Sequence, residues 1–307
     1  MPTPSDVTLA RSLIAAATRA LAITHVNPDG DAIGSVLGFG LALRAAGKEV
    51  VFACADPVPE QLYFLPAVDE IVAVPQGDFD LIAVLDVSDT GRMGKIGEIL
   101  ARRPDLLFDH HLTNPGFAEI NFIDMQAAST AELVAELLNP LGLPLTQEVA
   151  ECLLTGLVND SLGFRTVNTT PKTLVLAQKL MEAGAPLNKV YDLSLFKRSF
   201  AAARLWGEGL VQMQLADRIV WTSLSLEARR VAGYHAQDDA DLINVLTAVR
   251  EADVALIFVE RPNGTVKISW RSMSGLNVAL LAKSFGGGGH APAAGADISG
   301  TLAEVEA

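Results

Sequence analysis

The chain has 307 residues, 50% of them hydrophobic and 19% charged. That is room for two domains of roughly 100–200 residues each, and the composition excludes a disordered, collagenous or coiled-coil chain. The net charge of -13 excludes the continuous basic footprint needed to wrap a nucleic-acid duplex, leaving small or short anionic substrates. The acidic excess lies in residues 1–185, with 11 Lys/Arg against 23 Asp/Glu, whereas 186–307 hold 12 against 13. Most of these carboxylates solvate a surface; the remainder are available to collect cations.

In chain order, residues 6–20 read as an amphipathic helix capped near Ser5 or Asp6. Arg11 and Arg19 interrupt its apolar character and no basic region precedes it, so neither a signal peptide nor a membrane span is expected. Short apolar runs at 20–24, 49–53, 71–74, 81–87 and 106–108 predict buried, mostly parallel strands alternating with helices and loops. Residues 130–181 are predominantly helical, with Pro171 opening one helix after the turn-rich 168–170. The pattern breaks at 184–186 and resumes as a helical connector to about Leu215. Runs at 219–224, 254–259 and 265–270 predict strands, the last two joined by a Pro262-Asn263-Gly264 turn. The expected architecture is an α/β domain over 1–185, a helical linker over 186–215 and a smaller α+β domain over 216–307. Cys54 and Cys152 form neither a CxxC pair nor a disulfide framework. They fit a reducing cytoplasm and argue against a zinc ribbon.

The densest chemical signal is His25-Val26-Asn27-Pro28-Asp29-Gly30-Asp31, after the first predicted strand and before a helix. Open α/β sheets bind ligands beyond such carboxyl ends. Gly34, Gly38 and Gly40 invite a dinucleotide-loop reading, but their order is GxxxGxG, and Asp29 and Asp31 would repel a pyrophosphate unless cations intervened. Asp86 ends another apolar run, with Asp89 and Arg92 in the following turn; these two either brace the turn or, for Arg92, meet a substrate phosphate. Asp109-His110-His111 follows the strand at 106–108, and paired histidines beside an acid suggest a ligand and its orienting partner. Asp160 ends a helix-like segment, as a cap or as a further metal ligand.

Imidazoles and carboxylates without thiolates suit manganese, with magnesium or cobalt as options, and the ligand count fits two ions. Such a pair activates water and stabilises phosphoryl charge, so phosphoester hydrolysis is the natural reaction. In the second half, Arg271 and Ser272 precede a glycine run, Gly286 to Gly289, and His290. Four glycines permit close backbone approach to a ligand, with Arg271 and His290 clasping a phosphate; a flexible turn is the plain alternative. Ser/His/Asp catalysis lacks a GxSxG elbow, and paired-carboxylate glycosidase chemistry leaves the histidines unexplained.

These motifs resemble the DHH/DHHA1 phosphoesterase superfamily. His25 to Asp31 is similar to its first motif, Asp86 to its second, Asp109-His110-His111 to its namesake, and the segment around Asp160 to its fourth. The glycine run with Ala293-Ala294-Gly295 resembles the DHHA1 signature. Length and paired domains are similar to the bifunctional oligoribonuclease and 3′-phosphoadenosine 5′-phosphate (pAp) phosphatase group. The resemblance implies one metal held by His25, Asp29 and Asp86. It implies a second held by Asp31, bridging Asp86, His110 and Asp160. It also implies that His111 contacts the scissile phosphate and that Asp109 orients a neighbouring histidine. Ser161 departs from a position that is often threonine without removing a ligand.

The expected protein is therefore a cytoplasmic, manganese-dependent phosphoesterase acting on short RNA, short single-stranded DNA and pAp. Arg92, Arg271, Ser272, Gly287, Gly288, Gly289 and His290 are its expected substrate contacts, with substrate held between the domains. The competing readings are a cyclic di-AMP or pApA phosphodiesterase and, in a different class, a non-catalytic nucleotide-binding regulator. Substrate preference, polarity of attack, native metal and oligomeric state, including a homodimer, stay open.

Overall fold

The apolar runs of the first half lack polar alternation because both faces of their sheet are covered. In the computed structural model, which describes residues 4–307 apart from the His290 side chain, the chain divides into two units after Lys197. The first unit contains α1 (Pro4–Ala16), β1 (Arg19–Ile23), α2 (Gly30–Ala45), β2 (Glu49–Ala53), β3 (Leu81–Leu85), α3 (Lys95–Ile99), β4 (Leu106–Asp109) and β5 (Ile120–Ile123). Helices α4 (Thr130–Leu138), α5 (Gln147–Asp160), α6 (Pro171–Glu182) and α7 (Leu187–Val190) follow. The strands lie in the order β2-β1-β3-β4-β5, every pair parallel.

Along β1, Ala20 and Ala22 enter the core shared with α2, α4 and α5, whereas Leu21 and Ile23 face a second apolar layer with Met93, Ile96 and Leu107. This is the two-residue period of a strand buried on both sides. From β1 the chain passes outward to β2 and then returns to β1's other flank as β3. The order reverses between β1 and β3, the crevice where open parallel sheets bind ligands. Thr24 Oγ1 donates to Leu85 O at 2.9 Å and ties the two strand ends together there.

The structure departs from the sequence expectation at several elements. Helix α1 stops at Ala16, where Lys48 Nζ caps the carbonyls of Ala15 and Ala17 at 2.8 and 2.6 Å, and Ser5 and Asp6 lie within it. Residues 71–74 form only a single bridge, Val72 to Ala53, and Val72 and Val74 remain exposed. Ile120–Ile123, broken by the polar Asn121, supplies the fifth strand instead. Gly34 serves helix packing: a Cβ there would lie 2.5 Å from Cys152 O and 2.7 Å from Gly156 N on α5.

The segment 186–215 contributes α7 and a π-helical turn (Tyr191–Phe196) before the division and α8 (Phe200–Val211) after it. The second unit continues with β6 (Gln214–Ala216), β7 (Ile219–Leu224), α9 (Leu226–Ala232), α10 (Leu242–Leu246), β8 (Val254–Glu260) and β9 (Thr265–Ser272). It ends with α11 (Val278–Ser284), β10 (Gly288–His290), β11 (Ala293–Ser299) and α12 (Leu302–Glu306). Its sheet runs β10-β11-β9-β8-β7-β6, with β7 and β8 parallel and the other pairs antiparallel. The β8–β9 turn closes through Arg261 N donating to Thr265 O at 2.9 Å, with Gly264 at φ +77°.

Two glycine substitutions separate packing from backbone entropy. Gly34→Ala is expected to destabilise the chain by about 1–3 kcal/mol, because backbone, not a flexible side chain, opposes the new methyl. Gly207→Ala, exposed in the middle of α8 with nothing within 4 Å of its Cβ position, is expected to stabilise by about 0.5–1 kcal/mol. Urea denaturation of both variants checks the opposite signs.

Candidate metal centre

Five segments deliver side chains to the carboxyl edge of the first sheet: the β1–α2 loop, the first turn of α2, the residue after β3, the residues ending and following β4, and the last residue of α5. Asp86 leaves β3 in the left-handed region at φ 61° while its N–H still donates to Phe108 O at 2.9 Å. The sheet thus extends to the residue whose carboxylate turns into the crevice. Asp29 caps α2, its Oδ1 accepting from the Asp31 and Ala32 amides at 3.0 Å, which leaves Oδ2 for another partner. Asp160 ends α5, where the negative end of the helix dipole disfavours a carboxylate.

These groups converge. One donor atom from each of His25, Asp29 and Asp86 lies within 4.8 Å of the others, and Asp31, His110 and Asp160 form a second such group. Asp86 joins His110 and His111 in a third. Its two oxygens face different histidines: Oδ2 is 3.4 Å from His25 Nε2, and Oδ1 is 3.9 Å from His110 Nε2. His110 Nε2 is also 4.0 Å from Asp31 Oδ2 and 3.5 Å from Asp160 Oδ2.

The donor set fits divalent cations. Two donors that each sit about 2.0–2.2 Å from one ion lie about 3–4 Å apart, the spacing seen here and too long for short direct hydrogen bonds. His25 Nδ1 is 2.8 Å from Val26 O and His110 Nδ1 is 3.3 Å from Ala127 O. With those nitrogens donating to carbonyls, each Nε2 is turned toward the carboxylates, where it would offer its lone pair to an ion once deprotonated. Arg92 Nη2 also approaches His25 Nδ1, at 3.2 Å, and Asp89 braces the Arg92 turn by accepting from the Gly91 and Arg92 amides at 3.0 and 3.3 Å.

His111 differs from the other two histidines. Its Nδ1 is 2.6 Å from Asp109 Oδ1, and Asn114 Nδ2 holds the other Asp109 oxygen. Asp109 is fully buried at the end of β4 and fixes that ring.

Crowded carboxylates shift the acid–base balance. Burial raises Asp31 well above the usual carboxylate range, and the charges of Asp86 and Asp160 add to this. Burial likewise pushes Asp160 up to about 7, against the opposing pull of His110. Burial alone would lower His110, but Asp160, Asp86 and Asp31 outweigh it and raise the imidazole to about 9. Burial disfavours the Asp86 carboxylate too, yet His25, His110 and His111 hold it well below its ordinary value.

In the second unit, Arg271 lies on β9 and its Nη1 donates to Trp270 O at 3.1 Å. Burial lowers its pKa against the nearby charges of Asp239 and Asp241. Ser272 Oγ is a buried hydroxyl without a hydrogen-bond partner among the described residues. Arg271 and His290 both pair with Ala293 in the strand register, so they occupy one row of the sheet; the His290 side chain lies outside the described residues. Gly288 and Gly289 belong to β10, and a Cβ on Gly287 would come within 2.1 Å of Gly295 O. Close strand approach therefore accounts for part of the glycine run without a ligand.

Thr130, which sequence reasoning passed over, is buried between two of the acids: its Oγ1 donates to Asp86 Oδ1 at 2.8 Å and its N–H to Asp31 Oδ2 at 2.6 Å.

Linkage fixes the sign of a pH effect on the metal-free protein. Between about pH 4 and 7 folded Asp160 keeps a proton the unfolded chain has released, and between about 6.5 and 9 His110 does the same. Both make the folded state lose stability as pH rises. The depressed Asp86 works in the opposite direction only in strong acid. Thermal melting in chelator is expected to show Tm falling from pH 5 to pH 9, with a divalent ion reversing the trend because its ligands must be deprotonated. A chelated Tm that rises over this range contradicts the electrostatic picture.

Residues 19–157 match the DHH family, N-terminal domain, and residues 225–307 match the DHHA1 domain. The bifunctional oligoribonuclease and PAP phosphatase NrnA of Thermus thermophilus is 36% identical over 90% of this chain and 83% of its own length. The cyclic-di-AMP phosphodiesterase GdpP of Geobacillus thermodenitrificans is 28% identical over 96% of this chain, which spans 47% of that protein. An exopolyphosphatase-related protein from Bacteroides fragilis superimposes with a TM-score of 0.93 at 25% identity, covering 100% of this chain and 94% of its own. With both domains matched in sequence order and a relative this similar along nine-tenths of its length, the chain belongs to the DHH family of proteins that carry a C-terminal DHHA1 domain.

Proposed function

We propose that the chain is a phosphoesterase dependent on two divalent ions. Its substrates are short oligoribonucleotides, with short single-stranded DNA as a further option, cleaved to mononucleotides, and pAp, from which it removes the 3′-phosphate. The observation that carries this reading is the pair of donor clusters, His25/Asp29/Asp86 and Asp31/His110/Asp160, at the switch point of the sheet. His25, Asp29 and Asp86 would hold one ion, and Asp31, Asp86, His110 and Asp160 the other, with Asp86 shared. Hard oxygen donors with imidazoles and no thiolate favour manganese, with magnesium or cobalt next. Bound there, the ions polarise phosphoryl oxygens and lower the pKa of water.

The protein groups do the rest. His111, its Nδ1 held by Asp109 at 2.6 Å, presents its other nitrogen to the scissile phosphate region. The buried Asp109 carboxylate sets that tautomer and steadies the ring when it carries a proton. Arg92, whose Nη2 lies 3.2 Å from His25 Nδ1, is the proposed contact to a phosphate oxygen. Arg271, Ser272, Gly287, Gly288, Gly289 and His290 are the proposed substrate contacts of the second unit. The likeness to NrnA proteins supports short RNA and pAp as substrates. The likeness to GdpP favours one second reading, a cyclic di-AMP or pApA phosphodiesterase. Among the described residues no helix is long and apolar enough to cross a membrane, and both cysteines are free and buried. These features support a cytoplasmic setting.

Manganese titration against pAp, RNA dinucleotides, longer RNA, single-stranded DNA and cyclic di-AMP tests the assignment. Fastest turnover is expected on pAp and the dinucleotides; turnover of cyclic di-AMP alone supports the second reading, and no turnover of any leaves a binding protein. Asp86→Ala is expected to lose both ions and all turnover, whereas Arg271→Ala raises KM about tenfold or more at nearly unchanged kcat. Retained metal-dependent turnover in Asp86→Ala contradicts the shared-ligand assignment.

A further inference from the structure

We infer that Thr130 is a positioning residue that fixes the plane of the Asp86 carboxylate so that its two oxygens serve the two halves of the metal centre. The inference rests on the two-ion reading and adds a residue to it. Thr130 opens α4, is fully buried, and donates its hydroxyl to Asp86 Oδ1 at 2.8 Å. That oxygen faces His110 and His111, while Oδ2 faces His25. The last torsion of an aspartate is broad and roughly two-fold, so the strand end alone does not hold the carboxylate plane. A donor on one oxygen does. A carboxylate oxygen has room for two partners, so the hydroxyl occupies one site of Oδ1 and leaves the other for a cation.

The chemical identity of the donor matters. A lysine or arginine at this place would neutralise Asp86 and compete with the cation, whereas a hydroxyl adds orientation without charge. The backbone around Thr130 serves the same centre. Its N–H and that of Ala131 donate to the two oxygens of Asp31 at 2.6 and 2.9 Å, and Ala127 O, three residues earlier, contacts His110 Nδ1 at 3.3 Å. One short segment therefore touches Asp31, Asp86 and His110.

The segment is itself held rigidly. Ser129 Oγ accepts from Glu132 N at 3.0 Å, Glu132 Oε2 accepts from Ala128 N at 2.7 Å, and Thr173 Oγ1, at the start of α6, donates to the Glu132 carboxylate at 3.2 Å. Asn168 Nδ2 donates to Ala127 O at 3.2 Å. The hydroxyl of Thr130 is delivered to Asp86 by this frame, so substituting it changes the donor while the frame remains.

Thr130→Val removes the hydroxyl at nearly constant shape, Thr130→Ser keeps it, and Thr130→Cys keeps a weaker donor. Calorimetric titration of the chelator-stripped proteins with manganese is expected to show Thr130→Val binding about 10–100-fold more weakly than wild type. Thr130→Ser should stay near wild type and Thr130→Cys should fall between them. At saturating manganese KM for pAp should be unchanged. Equal manganese affinity in all folded variants, with only Tm altered, overturns the inference; if the valine variant fails to fold, the serine–cysteine comparison decides it. Wild-type protein that takes up no manganese sinks the metal-centre reading itself, a failure distinct from that of Thr130.

Discussion

Repulsion among Asp31, Asp86 and Asp160 is the constraint around which the first unit is organised. Three acids share one crevice with His25 and His110, and two of them, Asp31 and Asp86, are almost wholly removed from water. Water screens such charges poorly once they are buried, so the arrangement holds only with protons or cations between them. The raised Asp31 and Asp160 and the raised His110 are the proton-bound version of that compensation. Divalent ions would be the other version, one that needs every donor deprotonated.

The scaffold concentrates its most demanding packing beside these charges. Helices α2 and α5 approach so closely that Gly34 meets α5 backbone, and a Cβ on Gly156 would come within 2.8 Å of Asp31 Oδ1. That contact brings Asp160, at the end of α5, toward Asp31, at the start of α2. The amides of α4 then meet Asp31 end-on, where a helix N-terminus favours negative charge. Fold and site are therefore one problem: the glycines that let the helices touch also set the distance between the acids.

Much of the candidate site was legible because its side chains fall where periodicity stops. His25 and Asp86 follow apolar strands and Asp109 ends one, and the parallel order β2-β1-β3-β4-β5 puts those ends on one edge. The α/β and α+β classes were equally readable from the change in pattern, since helical runs give way to strands after about residue 212. What escaped is instructive. Ala128-Ser129-Thr130-Ala131-Glu132 reads as an ordinary capping sequence, and nothing in it reveals that the helix it opens points at two acids 44 and 99 residues away. Ile120–Ile123 was hidden by Asn121, which bonds to its own loop at Ala118. The glycine run suggested a ligand, whereas part of its requirement comes from strand β10 lying against β11.

Anomalous diffraction from crystals grown with manganese would locate any ions in this crevice. Two peaks about 3.5–4 Å apart are expected, one among His25, Asp29 and Asp86, the other among Asp31, His110, Asp160 and the same Asp86. A single peak, or two that do not share Asp86, would contradict the two-ion reading.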